Sequence, residues 1–122
     1  MYMRHAPGIR MLAVVFESSA TEQRPAVVCD DVTSLEIAGL RVPLQGNGSP
    51  AIDLRQTKDA WIRDGRSPRE APSLVNVTGS DSAKILVSGC DLLGSNQPVT
   101  LAADVEPATA TLANNVVSRN SP

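Results

Sequence analysis

This sequence predicts an all-β fold, a parallel β-helix (β-solenoid) of about five coils. Three observations carry the prediction. Apolar–x–apolar pairs recur at Leu35/Ile37, Ala60/Ile62, Ile85/Val87 and Ala110/Leu112, each step 25 residues, and Ile9/Met11 joins the series at a step of 26. A second alternation precedes most pairs, in Pro25–Cys29, Pro50–Leu54, Ser73–Val77 and Pro98–Leu101. No segment sustains the i, i+3, i+4, i+7 spacing of an amphipathic helix.

Each repeat reads as strand, polar turn, strand and longer loop. Three of the four leading strands open with proline, which is tolerated at a strand's first residue because no ladder donor is lost there. The turns fall at Asp30-Asp31, Arg55-Gln56, Gly79-Ser80-Asp81 and Ala102-Ala103-Asp104. The second strands follow, and Met11, Ile37, Ile62, Val87 and Leu112 form one predicted inward column. A single repeat cannot bury such a row, whereas repeats stacked about 4.8 Å apart bury it continuously. A leucine-rich-repeat-like solenoid is the alternative. Val32-Thr33-Ser34-Leu35-Glu36-Ile37 fits its frame, but Thr57 and Pro107 break it in other copies. One stack is expected over residues 1–117, with a polar tail at 118–122.

Composition narrows the function. The 122 residues carry 11 basic and 13 acidic side chains, a net charge of -2, so no basic excess favours nucleic acid. The longest early apolar run, Met11 to Phe16, is six residues, short of the ~20 of a membrane span and of the ~7–15 of a signal-peptide core. Asn76-Val77-Thr78 matches a glycosylation tripeptide that has meaning only in a secretory context. Cys29 and Cys90 fit no metal spacing. Placed two rungs apart, at least ~9.6 Å, they lie beyond the ~7 Å reach of a disulfide, so free thiols are expected. No cofactor or metal site is predicted.

The candidate site residues are few. Asp30-Asp31 is tempting as an acid–base pair, yet neighbours on a strand face opposite sides, and in a turn such residues cap backbone. His5 is the sole histidine and lacks an evident nucleophile, so it reads as structural or as the edge of a substrate groove. Trp61, between inward Ala60 and Ile62, points outward, either to contact sugar or protein or to pack under the loop from Asp64 to Ser73. His5 and Trp61 are the candidate substrate contacts, and no catalytic residue is named. Asp53, Arg55, Asp59 and Arg63 read as a solvated face, and Asn114-Asn115 as turn asparagines.

The succession of motifs resembles the late coils of the polygalacturonase-like glycoside hydrolases (family 28). Arg4-His5 with Ile9-Arg10-Met11 resembles an Arg-His-Val entry to such a coil. Arg24-Pro25-Ala26-Val27-Val28 with Asp30-Asp31-Val32, then Pro50–Arg55 with Asp59–Arg63, are similar to the next two. Val75-Asn76-Val77, Ile85–Leu92 and Ala110–Asn115 continue the series, so that the likeness runs over residues 4 to 117. It implies a right-handed parallel β-helix and a parent activity of pectin-type glycosidic-bond hydrolysis, in a family typically secreted or periplasmic. The family's Asn-Thr-Asp, Gly-His-Gly and Arg-x-Lys motifs do not occur here. The resemblance therefore implies a non-catalytic C-terminal stack, arising as an internal start at Met1, a fragment or a diverged relative. Expected partners are upstream coils, a second copy through the first rung, or polysaccharide. The alternative is a standalone solenoid that binds a partner through its open end or its Trp61 face. With nothing before it, the first rung would leave Ile9, Met11, Val14 and Phe16 uncovered.

Overall fold

A computed structural model of the chain describes residues 2–13, 27–41, 50–66, 71–92 and 95–115. The fold is an all-β solenoid of parallel strands. Its strands are β1 (Tyr2–Arg4), β2 (Ile9–Leu12), β3 (Val27–Asp30), β4 (Thr33–Ala38), β5 (Ile52–Arg55), β6 (Lys58–Arg63), β7 (Ala71–Thr78), β8 (Ala83–Ser88), β9 (Ser95–Leu101) and β10 (Ala110–Ala113). A short 3-10 turn at Pro107–Thr109 precedes β10.

Odd strands form one five-stranded sheet in the order β1-β3-β5-β7-β9, and even strands form the other, β2-β4-β6-β8-β10. Successive strands thus alternate between sheets, and each rung contributes one strand to each. The 25-residue step appears directly as register: Leu35 pairs Ala60, Ala60 pairs Ile85, and Ile85 pairs Ala110. Ile9 pairs Leu35 at the longer step. Five rungs are joined by only four returning segments, so the stack makes fewer complete turns than the five coils the repeat suggests.

The core is aliphatic. Ile37, Ile62 and Val87 share a column in the even sheet and are 0% exposed. Val27, Cys29, Ile52, Leu54, Val75 and Val77 fill the facing odd sheet. Both cysteines are free and buried, as expected. Two predictions about the ends require correction. Met11 of the first rung is only 7% exposed, not open, while Leu112 of the last rung, placed in the core column, is 48% exposed. Leu112 packs on Val87 from one side, and among the described residues no strand follows β10. Val14 and Phe16 lie outside the described residues.

Left-handed residues turn the corners, in vertical columns. The corner after the odd strands uses His5, Asp31, Gln56 and Gly79, and the corner after the even strands uses Ala13, Gly39, Asp64, Gly89 and Asn114, all with positive φ. Their N–H groups keep the ladder running through the bend: Asp31 donates to the Arg55 carbonyl at 2.9 Å and Gln56 to that of Thr78 at 3.0 Å. A third column, Ser34, Asp59 and Lys84, kinks β4, β6 and β8 near their starts. That kink explains why Lys58 and Asp59 are both exposed before Ala60 turns inward. At Gly79 a side chain would be strained, because φ is +95° and a Cβ would meet the Gln56 backbone nitrogen at 2.9 Å.

Polar groups inside the first corner are paired with one another. The Thr57 N–H donates to Ser82 Oγ at 3.1 Å, and the Ser82 hydroxyl donates to the Thr78 carbonyl at 2.9 Å. Proline behaves differently from expectation in two places. Pro50 lies before β5 rather than in it, and Pro98 lies inside β9, whose place at a sheet edge spares the ladder. Pro25 is outside the described residues, as is the tail at 118–122.

Candidate functional site

The outer face of the even sheet carries the most developed side-chain arrangement. Period-2 alternation puts Arg10, Glu36, Trp61, Leu86 and Thr111 in one outward column, with Leu12, Ala38, Arg63, Ser88 and Ala113 in the next. Trp61 points outward as predicted and is 42% exposed. Its indole N–H donates to Ser88 Oγ at 2.8 Å, and the Arg63 guanidinium lies 5.0 Å from its ring centroid. This cation–π contact and the hydrogen bond hold the ring in one orientation.

Arg63 is held in turn. Its Nε and one terminal nitrogen donate to Glu36 Oε2 at 3.1 and 3.0 Å, and the other terminal nitrogen donates to Asp64 Oδ2 at 3.1 Å. The Glu36 hydrogen bonds push the guanidinium above its ordinary pKa, so it stays charged. Arg10 pairs with the second Glu36 oxygen at 3.1 Å. The indole and guanidinium both reach diagonally, from residue i to i+27 in one case and i−27 in the other. The surface is a preorganised aromatic flanked by neutralised charges.

His5 sits elsewhere, at the first corner of the first rung. Its Nδ1 is 2.7 Å from Asp31 Oδ2, and both side chains are more than half exposed. Asp30, at the end of β3, instead accepts from the Tyr2 hydroxyl at 3.2 Å and faces Arg4 Nε at 3.7 Å. Asp30 and Asp31 therefore engage different partners in the preceding rung. Both engage side chains of the chain itself and not the backbone groups expected of turn residues, and Asp30 is the last residue of β3. No contact among the described residues joins His5 to Trp61, so the two candidate contact residues are not brought into one site.

The expected solvated face of Asp53, Arg55, Asp59 and Arg63 is not a single face: Asp53 and Arg55 lie on β5 of the odd sheet, Asp59 and Arg63 on β6 of the even sheet. Asp53 is 7% exposed. Arg55 Nε and its terminal nitrogen donate to Asp53 Oδ2 at 3.1 and 2.9 Å, while Asn76 Nδ2 donates to Oδ1 at 3.2 Å. Thr100 extends the chain of bonds, donating to Asn76 Oδ1 at 2.7 Å and lying 3.0 Å from Ser73 Oγ. Period 2 correctly puts Asp53 outward but cannot reveal that its neighbours cover it. Asn114 occupies a left-handed corner, consistent with a turn asparagine. Asn115 does more: its Oδ1 accepts the Cys90 N–H at 2.9 Å and its Nδ2 donates to the Val87 carbonyl at 2.9 Å.

No group of three or more His, Cys, Asp and Glu side chains converges among the described residues. No helix among them is long and apolar enough to cross a membrane. Chemically, the Trp61 face can stack against a ligand and exclude water from one side of it. No known protein family matches the chain, and neither does any curated protein or any solved structure.

Proposed function

We propose that this chain is a non-catalytic β-helical stack that contacts polysaccharide through the outer face around Trp61, as the closing coils of a polygalacturonase-like hydrolase would. The observation that carries the reading is the Trp61 ring, pinned by Ser88 and Arg63 yet 42% exposed. A sugar ring presents C–H groups on its faces and hydroxyls at its rim. A rigid indole takes the first, and polar neighbours meet the second. Holding the ring in place before binding reduces the ordering that binding demands. The resemblance to the late coils of family 28 supports the ligand class.

Trp61 is the chain's single tryptophan, so its emission reports on this face alone. The test is affinity electrophoresis through gels containing polygalacturonate or a neutral polysaccharide, alongside fluorescence titration. The expected result is retardation on at least one polymer, a shift in Trp61 emission, and about tenfold weaker binding for Trp61→Ala, or about 1.4 kcal/mol. Release of reducing ends is expected to stay at background. Equal migration in every gel, or a Trp61→Ala variant retarded like the parent, overturns the contact reading. Release of reducing ends by the purified chain overturns the non-catalytic part.

A further inference from the structure

The two end rungs of the stack differ in a way that points to assembly. Leu112 belongs to the column of Val87, Ile62 and Ile37, each 0% exposed, yet is itself 48% exposed. Its column stops one layer short of closure. At the opposite end, Ile9 and Met3 are only half-buried, while Tyr2 and Leu12 are 54% and 51% exposed.

Charge separates the same two rungs. Residues 2–13 carry Arg4, His5 and Arg10 and no carboxylate, each of the three facing a carboxylate of the second rung (Asp30, Asp31 and Glu36), whereas residues 95–115 carry Asp104 and Glu106 and no basic group. No ion pair among the described residues engages Asp104 or Glu106, and both are exposed.

We propose that copies of this chain, taken alone, stack head to tail, the first rung of one (β1 and β2), which upstream coils would cover in a longer protein, adding to the last rung of another (β9 and β10). The register makes the placement specific. Met3 pairs Cys29, Cys29 pairs Leu54, Leu54 pairs Val77 and Val77 pairs Leu101, so a further layer seats Met3 over Leu101. Arg4 then lies over Ala102, two residues from Asp104. In the even sheet the same continuation seats Ile9 over Ala110 and Met11 over Leu112. Met11 is already covered, so the apolar gain comes from Leu112, Leu101, Ile9 and Met3. All strands stay parallel, as within the chain. An end joined to its own like would instead run strands antiparallel and face like charges. A head-to-tail contact does not close on itself, so it builds oligomers that lengthen with concentration.

Backbone alternation supplies blocking variants. Ala13 donates its N–H toward β4, so the N–H of Leu12 points to the free edge. Ala113 turns its carbonyl toward β8, so the N–H of Leu112 also points outward. Leu12→Pro should block the head and Leu112→Pro the tail, and proline at an edge leaves the existing ladder intact.

The test is sedimentation velocity over a concentration series, with circular dichroism on the same samples. The parent chain should sediment faster as concentration rises, passing beyond dimer. It should fall back toward monomer in about 1 M salt, where the Debye length drops to about 3 Å. Each proline variant alone should remain monomeric, and an equimolar mixture should form a dimer that grows no further. A parent chain that stays monomeric overturns the proposal, as does a single variant that still dimerises, which would mark a like-to-like contact. If a proline variant loses its β-sheet signal, the exposed double reversal Asp104→Lys with Glu106→Lys replaces it. Association of that variant at low salt equal to the parent's would likewise overturn the proposal.

Discussion

Cys29 shows how one buried atom makes a whole rung sensitive to pH. Its side chain is 0% exposed, and burial first, the Asp53 carboxylate second, pushes the thiol from 9.0 to about 12. The folded chain therefore keeps its proton where the unfolded chain releases it. The resulting stability is fully present below pH 9.0 and is lost as pH rises toward about 12. The urea midpoint of the parent should fall between pH 8 and pH 10 by more than that of Cys29→Ala, and equal falls would refute the linkage. Cys90 is shifted in the same direction, chiefly by burial, so the variant should retain part of the dependence. The burial of both thiols was legible from the repeat, because each falls on an inward or corner position. The left-handed corners were legible only in part: Asp31, Gln56, Gly79 and Asn114 fall in expected turns, whereas Ala13 and the kinks at Ser34, Asp59 and Lys84 do not. Nine non-glycine residues among those described hold positive φ, including Ala13 and Lys84, whose side chains carry no preference for that region. Their conformation is imposed by the ladders above and below them.

The strands of the middle rungs could be read because both sheets are period 2 with a buried inward row, and a slip of one residue would turn that row to solvent. β1 escaped notice as a strand. Tyr2–Arg4 contains a single inward side chain, Met3, too few to show alternation, and it becomes a strand by pairing with β3. Asn115 escaped for a different reason. An asparagine beside a turn asparagine looks like more turn, whereas here its amide replaces one backbone unit of a strand, satisfying a donor and an acceptor of the fourth rung. Each such bond contributes about 0.5–1.5 kcal/mol, so Asn115→Ala should destabilise the chain by roughly 1–3 kcal/mol. Asn115→Asp keeps the acceptor for Cys90 and loses the donor to Val87, and should fall between the two in a denaturant titration. Equal stability for all three would mean the amide is not holding the rung.

Across the whole molecule, each strand touches the strands directly above and below it in its sheet, so stability is close to a sum over neighbouring rungs. Central strands have a neighbour on each side. In the monomeric chain, amide exchange should therefore be slowest in β5 to β8 and fastest in the edge strands β1, β2, β9 and β10, and uniform protection along the stack would contradict this additive picture. The candidate site was less legible than the stack. Trp61 could be placed outward from Ala60 and Ile62, but its fixed orientation depends on Ser88 and Glu36, partners that neighbour it only once the register is known. The register has a further consequence, for time. Partners in adjacent rungs are 23 to 26 residues apart, from Ile52–Val75 to Ile9–Leu35. Adding a rung to a growing stack therefore closes a ring of nearly constant size, whatever the number already formed. The entropy of closure depends only weakly on ring size, about 0.6 kcal/mol per doubling. A longer stack of such repeats would meet the same barrier at each step, and its relative contact order would fall as it grew. The speed at which this architecture first takes shape is thus set by the repeat and not by the length of the chain.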